Sequence, residues 1–228
     1  MKESIDYIYK EQKELSTFSG IGALLGWDQM TYMPQKGGIE RSEQISLISR
    51  LAHEKFTADE LYNHVKKLNE IDALKKLEQK DKAVALRLIK DIEKSRKVPS
   101  EFVERMSKTT TIAYMVWQEA REKDKFSLFA PHLEKIVELE KEYCTYINLP
   151  GPAYNSLLDE YEEGMTVETL KKEFAYLKPQ IAEILEKITS SDVYRRQQAF
   201  DMKFDVEKQK RICDFVVKKM NLPKRRSR

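Results

Sequence analysis

The sequence predicts an all-α fold, an assembly of long helices, and three observations support this. Only 7 of the 228 residues are glycine and 7 are proline, which leaves few turn formers for an all-β chain. Apolar residues recur three and four positions apart over long stretches, which is the helical period. No segment shows sustained alternation of apolar and polar residues between turn signals, so we expect no substantial sheet.

The helices between residues 57 and 125 are indicated by their boundaries. Residues 57–60 (Thr-Ala-Asp-Glu) form a capping box, which opens a helix. Residues 98–101 (Val-Pro-Ser-Glu) end one helix and begin the next. We therefore expect two long helices here, over about 81–97 and 100–125.

Three later helices are predicted from apolar stripes and caps. A stripe over 133–147 predicts a helix that starts near Pro131, since proline suits a first helical turn. Thr166 is the expected N-cap of the next helix, and Pro179 predicts a bend in it. Asp205 is the expected N-cap of the last helix. The stripes of these last two helices are Leu170, Phe174, Leu177, Ile181, Ile184, Leu185 and Ile188, then Ile212, Phe215, Val216 and Met220.

Two segments rich in turn formers, 28–38 and 148–155, interrupt the helical pattern. Loops with this much specific chemistry can carry function. They can equally be rigid connections between long helices, which is the interpretation that we favour.

Composition and charge limit the classes of function. Hydrophobic residues make up 41% of the chain and charged residues 35%, as expected for a packed core under a charged surface. The 41 basic and 38 acidic residues are interspersed, so we expect no nucleic-acid partner. The exception is the basic tail at 223–228, which we interpret as a solvated terminus, with phosphate binding as the alternative.

Three further features of the sequence indicate the cellular location of the protein and the redox state of its cysteines. The first residues lack a signal-peptide core, and the uncharged run 16–27 is shorter than the roughly 18 apolar residues that a membrane span needs. Cys144 and Cys213 match no metal or redox spacing, and both fall on apolar stripes. We therefore expect buried free thiols in a cytoplasmic protein. Abundant Lys and Glu with few Gly fits a thermophile.

Several separated motifs resemble one known family. Residues 24–34 read Leu-Leu-Gly-Trp-Asp-Gln-Met-Thr-Tyr-Met-Pro, which is similar to the signature opening of the carboxypeptidase Taq family. The resemblance continues through Arg41, Gln44, Leu47, His53-Glu54, 117–121, 126–135 and 154–166, and it fades near 206–210 and 220–222. On this basis the chain is identified as a member. Region 1–222 would be the amino-terminal helical region of that fold, and 223–228 a basic tail outside it.

The resemblance implies a fold, an activity and a cofactor. Members have a grooved helical metallopeptidase fold and remove carboxy-terminal residues from peptides with one zinc or cobalt ion, commonly as homodimers. Two histidines four apart on a helix, followed by a later Glu, hold the metal. The Glu after the first His acts as general base for the metal-bound water.

The metal-binding pattern does not occur in this chain. Its His-Glu pair is His53-Glu54, and residue 57, which would have to be His, is Thr. We therefore assign no catalytic residue, no metal ligand and no cofactor to this chain, and expect a helix-terminal role for His53. The chain would be an amino-terminal half, truncated and inactive alone.

Two groups of residues, the family motif and an acidic cluster, are assigned structural roles. A buried Trp27 beside an Asp28–Arg41 contact would fix the loop that follows it. The family-motif residues expected to be structural are Trp27, Asp28, Thr31, Met33, Pro34 and Arg41. The acidic cluster Asp159, Glu160, Glu162 and Glu163 could do acid–base work. We interpret it instead as solvated surface and as partners of the following helix dipole.

Two functions remain open. The first is a metal-dependent carboxypeptidase present as its amino-terminal portion, which would act on peptides only when completed. The second is a non-enzymatic helical interaction module that dimerises or pairs with a separately encoded carboxy-terminal half. An exposed apolar face left by missing helices would promote such association.

Overall fold

The computed structural model describes residues 1–192 and 203–222, most of which lie in helices. The elements are α1 (Lys2–Thr31), a 3-10 turn (Gln35–Gly37), α2 (Gly38–Thr57), α3 (Asp59–Leu68), α4 (Ile71–Leu74), α5 (Gln79–Ser95), α6 (Ser100–Glu122), α7 (Phe126–Ile147), α8 (Tyr154–Tyr161), α9 (Val167–Ser190) and α10 (Val206–Lys219). No strand occurs in these two ranges, and the all-α prediction is confirmed.

The chain divides into two compact units, Met1–Val167 and a second that begins at Glu168. In the first unit an apolar core forms where α1, α3 and α5 meet. Ile8, Val65 and Ile92, one from each helix, are at most 2% exposed. The other buried members of this core are Leu61, Leu68, Ala85 and Leu88. Burial of one large aliphatic side chain contributes about 1.5–3 kcal/mol, so these contacts hold the three helices together.

Small residues on α2 allow it to pack closely on α6. Gly38, Ser42 and Ser46 recur every fourth residue along α2, and all three are buried. The Ser42 hydroxyl donates to the Ile39 carbonyl oxygen at 2.6 Å, and the Ser46 hydroxyl donates to that of Glu43 at 3.1 Å. The hydroxyls are therefore satisfied within α2, so these small side chains can be buried without an unpaired polar atom.

The partner side of this interface is α6. Gly38 lies directly against the thioether of Met115. Farther along, the hydroxyls of Ser49 and Ser107 are 3.0 Å apart. A second apolar core joins α6 to α7, with Val98, Phe102, Leu139 and Ile147 as its buried members. The first unit is thus a continuous stack of helices from α1 to α8.

Two predicted helix boundaries are wrong. Thr57 does not cap α3, which begins at Asp59; it is the last residue of α2, and its hydroxyl donates to the His53 carbonyl oxygen at 2.8 Å. Helix α7 begins at Phe126, so Pro131 lies inside it rather than at its start. Proline in a second turn removes one i→i−4 hydrogen bond, a loss that packing against α6 can offset.

Other predicted boundaries are confirmed. The two long helices are Gln79–Ser95 and Ser100–Glu122, and residues 98–101 contain the boundary between them. Asp205 caps α10, because its Oδ1 accepts from the Lys208 amide at 2.9 Å. Helix α9 begins directly after Thr166 and includes Pro179.

In the second unit, α9 and α10 contain no buried residue. Six apolar side chains of α9 are between 41% and 59% exposed: Phe174, Leu177, Ile181, Ile184, Leu185 and Ile188. Cys213 on α10 is also exposed, so its predicted burial is wrong, whereas Cys144 on α7 is buried as expected. In the part of the chain that the structure describes, no helix is long and apolar enough to cross a membrane.

Candidate functional site

The connection between α1 and α2 is shorter than predicted. Helix α1 continues to Thr31, whose hydroxyl donates to the Trp27 carbonyl oxygen at 2.7 Å. Residues 28–31, predicted as loop, are therefore helical. After a short extended stretch, the Gly37 amide donates to the Pro34 carbonyl oxygen at 2.8 Å and closes the 3-10 turn. The chain then enters α2 at Gly38.

Arg41 of α2 binds the end of α1. Its guanidinium lies 2.6 Å from the Asp28 carboxylate and donates to the Leu25 carbonyl oxygen, also at 2.6 Å. A further bond reaches the Gln44 amide oxygen at 3.0 Å. Because guanidinium donors are arranged in a planar fork, one side chain can satisfy all three acceptors. The expected Asp28–Arg41 contact is present.

Trp27 is not buried, contrary to the prediction. It is 49% exposed, and its ring packs edge-on against Tyr32 at 5.4 Å between centroids. The Asp28–Arg41 contact therefore forms without a covering indole ring. The side chain of Met33 lies next to Gly37. The motif residues lie together where α1 meets α2, and their structural role stays a prediction.

The residues around His53 do not fit the metal that the family resemblance implies. His53 Nε2 lies 2.8 Å from the Val98 carbonyl oxygen, so this ring nitrogen is engaged by the backbone. One helical turn later stands Thr57, which has no nitrogen ligand to offer. Among residues 1–192 and 203–222, no three His, Cys, Asp or Glu side chains are placed to hold a metal ion.

Three carboxylates of the acidic cluster, Glu160, Glu162 and Glu163, are exposed as predicted, whereas Asp159 is partly buried. The ammonium group of Lys94 on α5 lies 2.6 Å from both Asp159 and Glu160 of α8. Glu163 lies 2.6 Å from Arg87, also on α5. Three of the four carboxylates therefore pair with cations of α5. The ion pairs hold α8 against α5.

Partly buried ionisable groups form this contact. The hydrogen bond from Lys94, and then one from the Gly164 amide, lower the pKa of Asp159. Gly164 has a φ of +82°, which favours glycine and directs its amide at Asp159 Oδ1, 2.8 Å away. Tyr143 donates a short hydrogen bond to Glu160. Burial and this bond raise the pKa of Tyr143.

A cavity of about 1110 Å³ lies beside these ion pairs, within the first unit. It is an open cavity lined by residues of α2, α5, α6, α7 and α8. Apolar lining comes from Val98, Phe102 and Met106, and charged lining from Lys94 and Glu140. The cavity has the concave shape and mixed lining of a ligand site.

Three members of this site were not predicted from the sequence: Lys94, Tyr143 and Glu140. Lys94 is 65 residues from its partner Asp159 in the chain. Only helix packing brings the two together, so no local spacing could reveal the pair. A weak signal existed for Glu140, a charged residue that lies three positions after Val137 and three before Tyr143 in the apolar stripe of α7.

Comparisons with known proteins identify relatives over nearly the whole chain. A family model described as carboxypeptidase Taq (M32) metallopeptidase matches residues 7–227, a range that includes most of the tail at 223–228. Thermostable carboxypeptidase 1 of Pyrococcus furiosus is 31% identical over 222 residues, which cover 97% of this chain and 44% of that protein. Carboxypeptidase 1 of Bacillus subtilis is 33% identical over 213 residues, or 91% and 41%.

Solved structures agree with this match. The crystal structure of BsuCP superposes with a TM-score of 0.89 at 28% identity, covering 95% of this chain and 43% of that one. A Pyrococcus furiosus carboxypeptidase structure gives a TM-score of 0.78 at 30% identity, covering 98% and 45%. The chain therefore spans less than half the length of the relatives that it matches.

Proposed function

Because the chain belongs to the carboxypeptidase Taq (M32) metallopeptidase family, we propose that it is the amino-terminal portion of a metal-dependent carboxypeptidase, which removes carboxy-terminal residues from peptides. The observation that carries this proposal is the extent of the match. About 97% of this chain aligns with 44% of a curated carboxypeptidase. The same segment superposes on crystal structures of family members.

We propose that this portion is inactive alone and holds no catalytic metal. A metallopeptidase needs a metal to generate the attacking water and to polarise the scissile carbonyl. His53 is engaged by the Val98 carbonyl oxygen, and its neighbour one turn later is Thr57. We derive no catalytic step from these residues. Their proposed contribution is to build and hold the helices beside which the metal-bearing part would fold.

The second candidate is a helical interaction module, and the exposed apolar side chains of α9 favour it. Exposed contiguous apolar surface marks interaction sites. The partner in this proposal is the complementary part of the family fold or a second copy of the chain. A cytoplasmic location and a thermophilic origin also remain proposals, supported by two free cysteines and by the Lys- and Glu-rich composition.

Peptidase assays with added metal separate the two candidates. The purified 228-residue chain, with zinc or cobalt, should release no carboxy-terminal residue from a blocked dipeptide. Adding the remaining part of a related carboxypeptidase as a separate polypeptide should give metal-dependent release. Activity of the chain alone would contradict its proposed inactivity. Stable association without activity would favour the interaction module.

A further inference from the structure

The cavity beside the α5–α8 ion pairs carries more negative than positive charge. Among its lining residues are four carboxylates, Asp91, Glu140, Asp159 and Glu160, and two permanent cations, Arg87 and Lys94. His53 also lines it, and its Nε2 is engaged by the Val98 carbonyl oxygen. Apart from this histidine, the two cations and four anions give the lining a net charge of −2.

Both cations of the lining are already paired. Lys94 lies 2.6 Å from Asp159 and from Glu160. The guanidinium of Arg87 lies 2.8 Å from Asp91, which also lines the cavity. An anionic ligand would have to displace these carboxylates. The charge of the cavity therefore disfavours an anion.

Glu140 is the fourth carboxylate of the lining. It is partly buried and has no ion-pair or hydrogen-bond partner among the residues that the structure describes. Burial, and then the nearby charge of Glu160, raise the pKa of Glu140. A cation bound at Glu140 would offset both effects, because it favours the charged carboxylate.

The lining residues favour an organic cation over a metal ion. Hard metal ions need several oxygen ligands at short distance. Asp159 and Glu160 are committed to Lys94, and within the described ranges no set of three acidic, His or Cys side chains could hold a metal. The lining also includes the rings of Phe102 and Tyr143. Aromatic walls with one free carboxylate suit an organic ammonium group, which needs few ligands and carries an apolar chain.

We propose that this cavity binds ligands that carry a primary ammonium group on an aliphatic chain, with Glu140 as the ion-pair partner. The ammonium group donates to the Glu140 carboxylate, and the aliphatic chain lies against the rings of Phe102 and Tyr143. Two sources share this chemistry, a free polyamine and a lysine side chain of a peptide. Binding requires no metal and no peptidase chemistry, so the site goes beyond the proposed function and can fail independently of it.

Calorimetric titration of the 228-residue chain tests the proposal. One probe is cadaverine, and the other is a lysine-containing tripeptide with both termini blocked. The control ligand is the diol that matches cadaverine in length. At least one amine should bind, and the diol should bind at least tenfold more weakly. Binding of cadaverine alone identifies a free amine as the ligand, whereas binding of the peptide identifies a lysine side chain.

Two variants locate the site. Glu140→Gln keeps the shape of the side chain and removes its charge, and it should weaken amine binding about tenfold or more. The matched control is Glu138→Gln on the same helix, at an exposed position that does not line the cavity, and it should bind as the unmodified chain does.

Binding by the unmodified chain should also strengthen as pH rises through the pKa of Glu140, because only the ionised carboxylate attracts ammonium. If Glu140→Gln does not fold, this pH dependence tests instead whether Glu140 is the ion-pair partner. The proposal is overturned if neither amine binds, if the diol binds equally well, or if Glu140→Gln binds unchanged.

Discussion

The guanidinium of Arg41 holds the carboxylate of Asp28 at 2.6 Å, across the turn between α1 and α2. The same group donates to the Leu25 carbonyl oxygen, so one side chain of α2 binds two acceptors in the last turns of α1. The Arg41 side chain is only 13% exposed. Water therefore replaces these bonds poorly when they are lost, and the contact should matter for stability.

Arg41→Ala should lower the free energy of unfolding by roughly 1–3 kcal/mol, since a hydrogen bond to a charged group contributes about 1.5–3 kcal/mol and Asp28 is partly solvated. Arg41→Lys should recover only part of this loss, because one ammonium cannot reproduce the planar fork. Urea unfolding measures both. The control is Lys123→Ala, which breaks an exposed pair with Glu119. If Arg41→Ala costs no more than this control, the contact is not stabilising.

Substitution of glycine by alanine should have opposite effects on stability at two positions. Gly26 lies within α1, and an added methyl group there meets nothing within 4 Å. Gly26→Ala should therefore stabilise the chain by about 0.5–1 kcal/mol, the difference in helix propensity. At Gly38 the added methyl would collide with the end of the Met115 side chain. Gly38→Ala should be about 1–2 kcal/mol less stable than Gly26→Ala.

A double-mutant cycle identifies the cause of the Gly38 effect. Met115→Ala removes the side chain that collides, so the cost of Gly38→Ala should fall in that background. Thermal unfolding of the four chains gives the coupling. An unchanged cost in the Met115→Ala background would show that the α2–α6 contact is not responsible.

Asp159 should make stability depend on pH. Its pKa is lowered in the folded chain, so its contribution is present above the ordinary carboxyl pKa and is lost as pH falls through the lowered value. Asp159→Asn should cost roughly 1–2 kcal/mol at neutral pH, and the difference should shrink towards acidic pH. Urea unfolding at several pH values measures it. Glu119→Gln, in an exposed pair, is the control, and a pH-independent loss in Asp159→Asn would argue against the Lys94 pairing as the cause.

Asn should be able to replace Asp205 as the N-cap of α10, because the two side chains have the same geometry. Asp205→Ala removes the acceptor for the Lys208 amide and should destabilise the helix by about 1 kcal/mol. Asp205→Asn should retain most of the cap. Amide hydrogen exchange at Lys208 reports the change directly. Equal exchange in the two variants would mean that the side chain does not cap the helix.

Local patterns in the sequence were sufficient for the helices and for several of their ends. The Asp205 cap and the boundary at 98–101 involve residues within one helical turn of each other, so spacing alone reveals them. The predicted helix starts at Thr57 and Pro131 were wrong for a related reason. Each has a residue type typical of a helix start, yet tertiary packing on α6 extends α2 and α7 past the places where local preference would end or begin them.

The sequence by itself determined the all-α class, the resemblance to the carboxypeptidase family and the mismatch at Thr57, because each depends on the identity and spacing of neighbouring residues. Only the tertiary structure decided that Trp27 is half exposed, that Lys94 pairs with Asp159 and that Glu140 lies beside a cavity without a partner among the described residues. Burial and pairing of this kind depend on which helices pack together. Lys94 and Asp159, 65 residues apart, share no local pattern that could place them in contact.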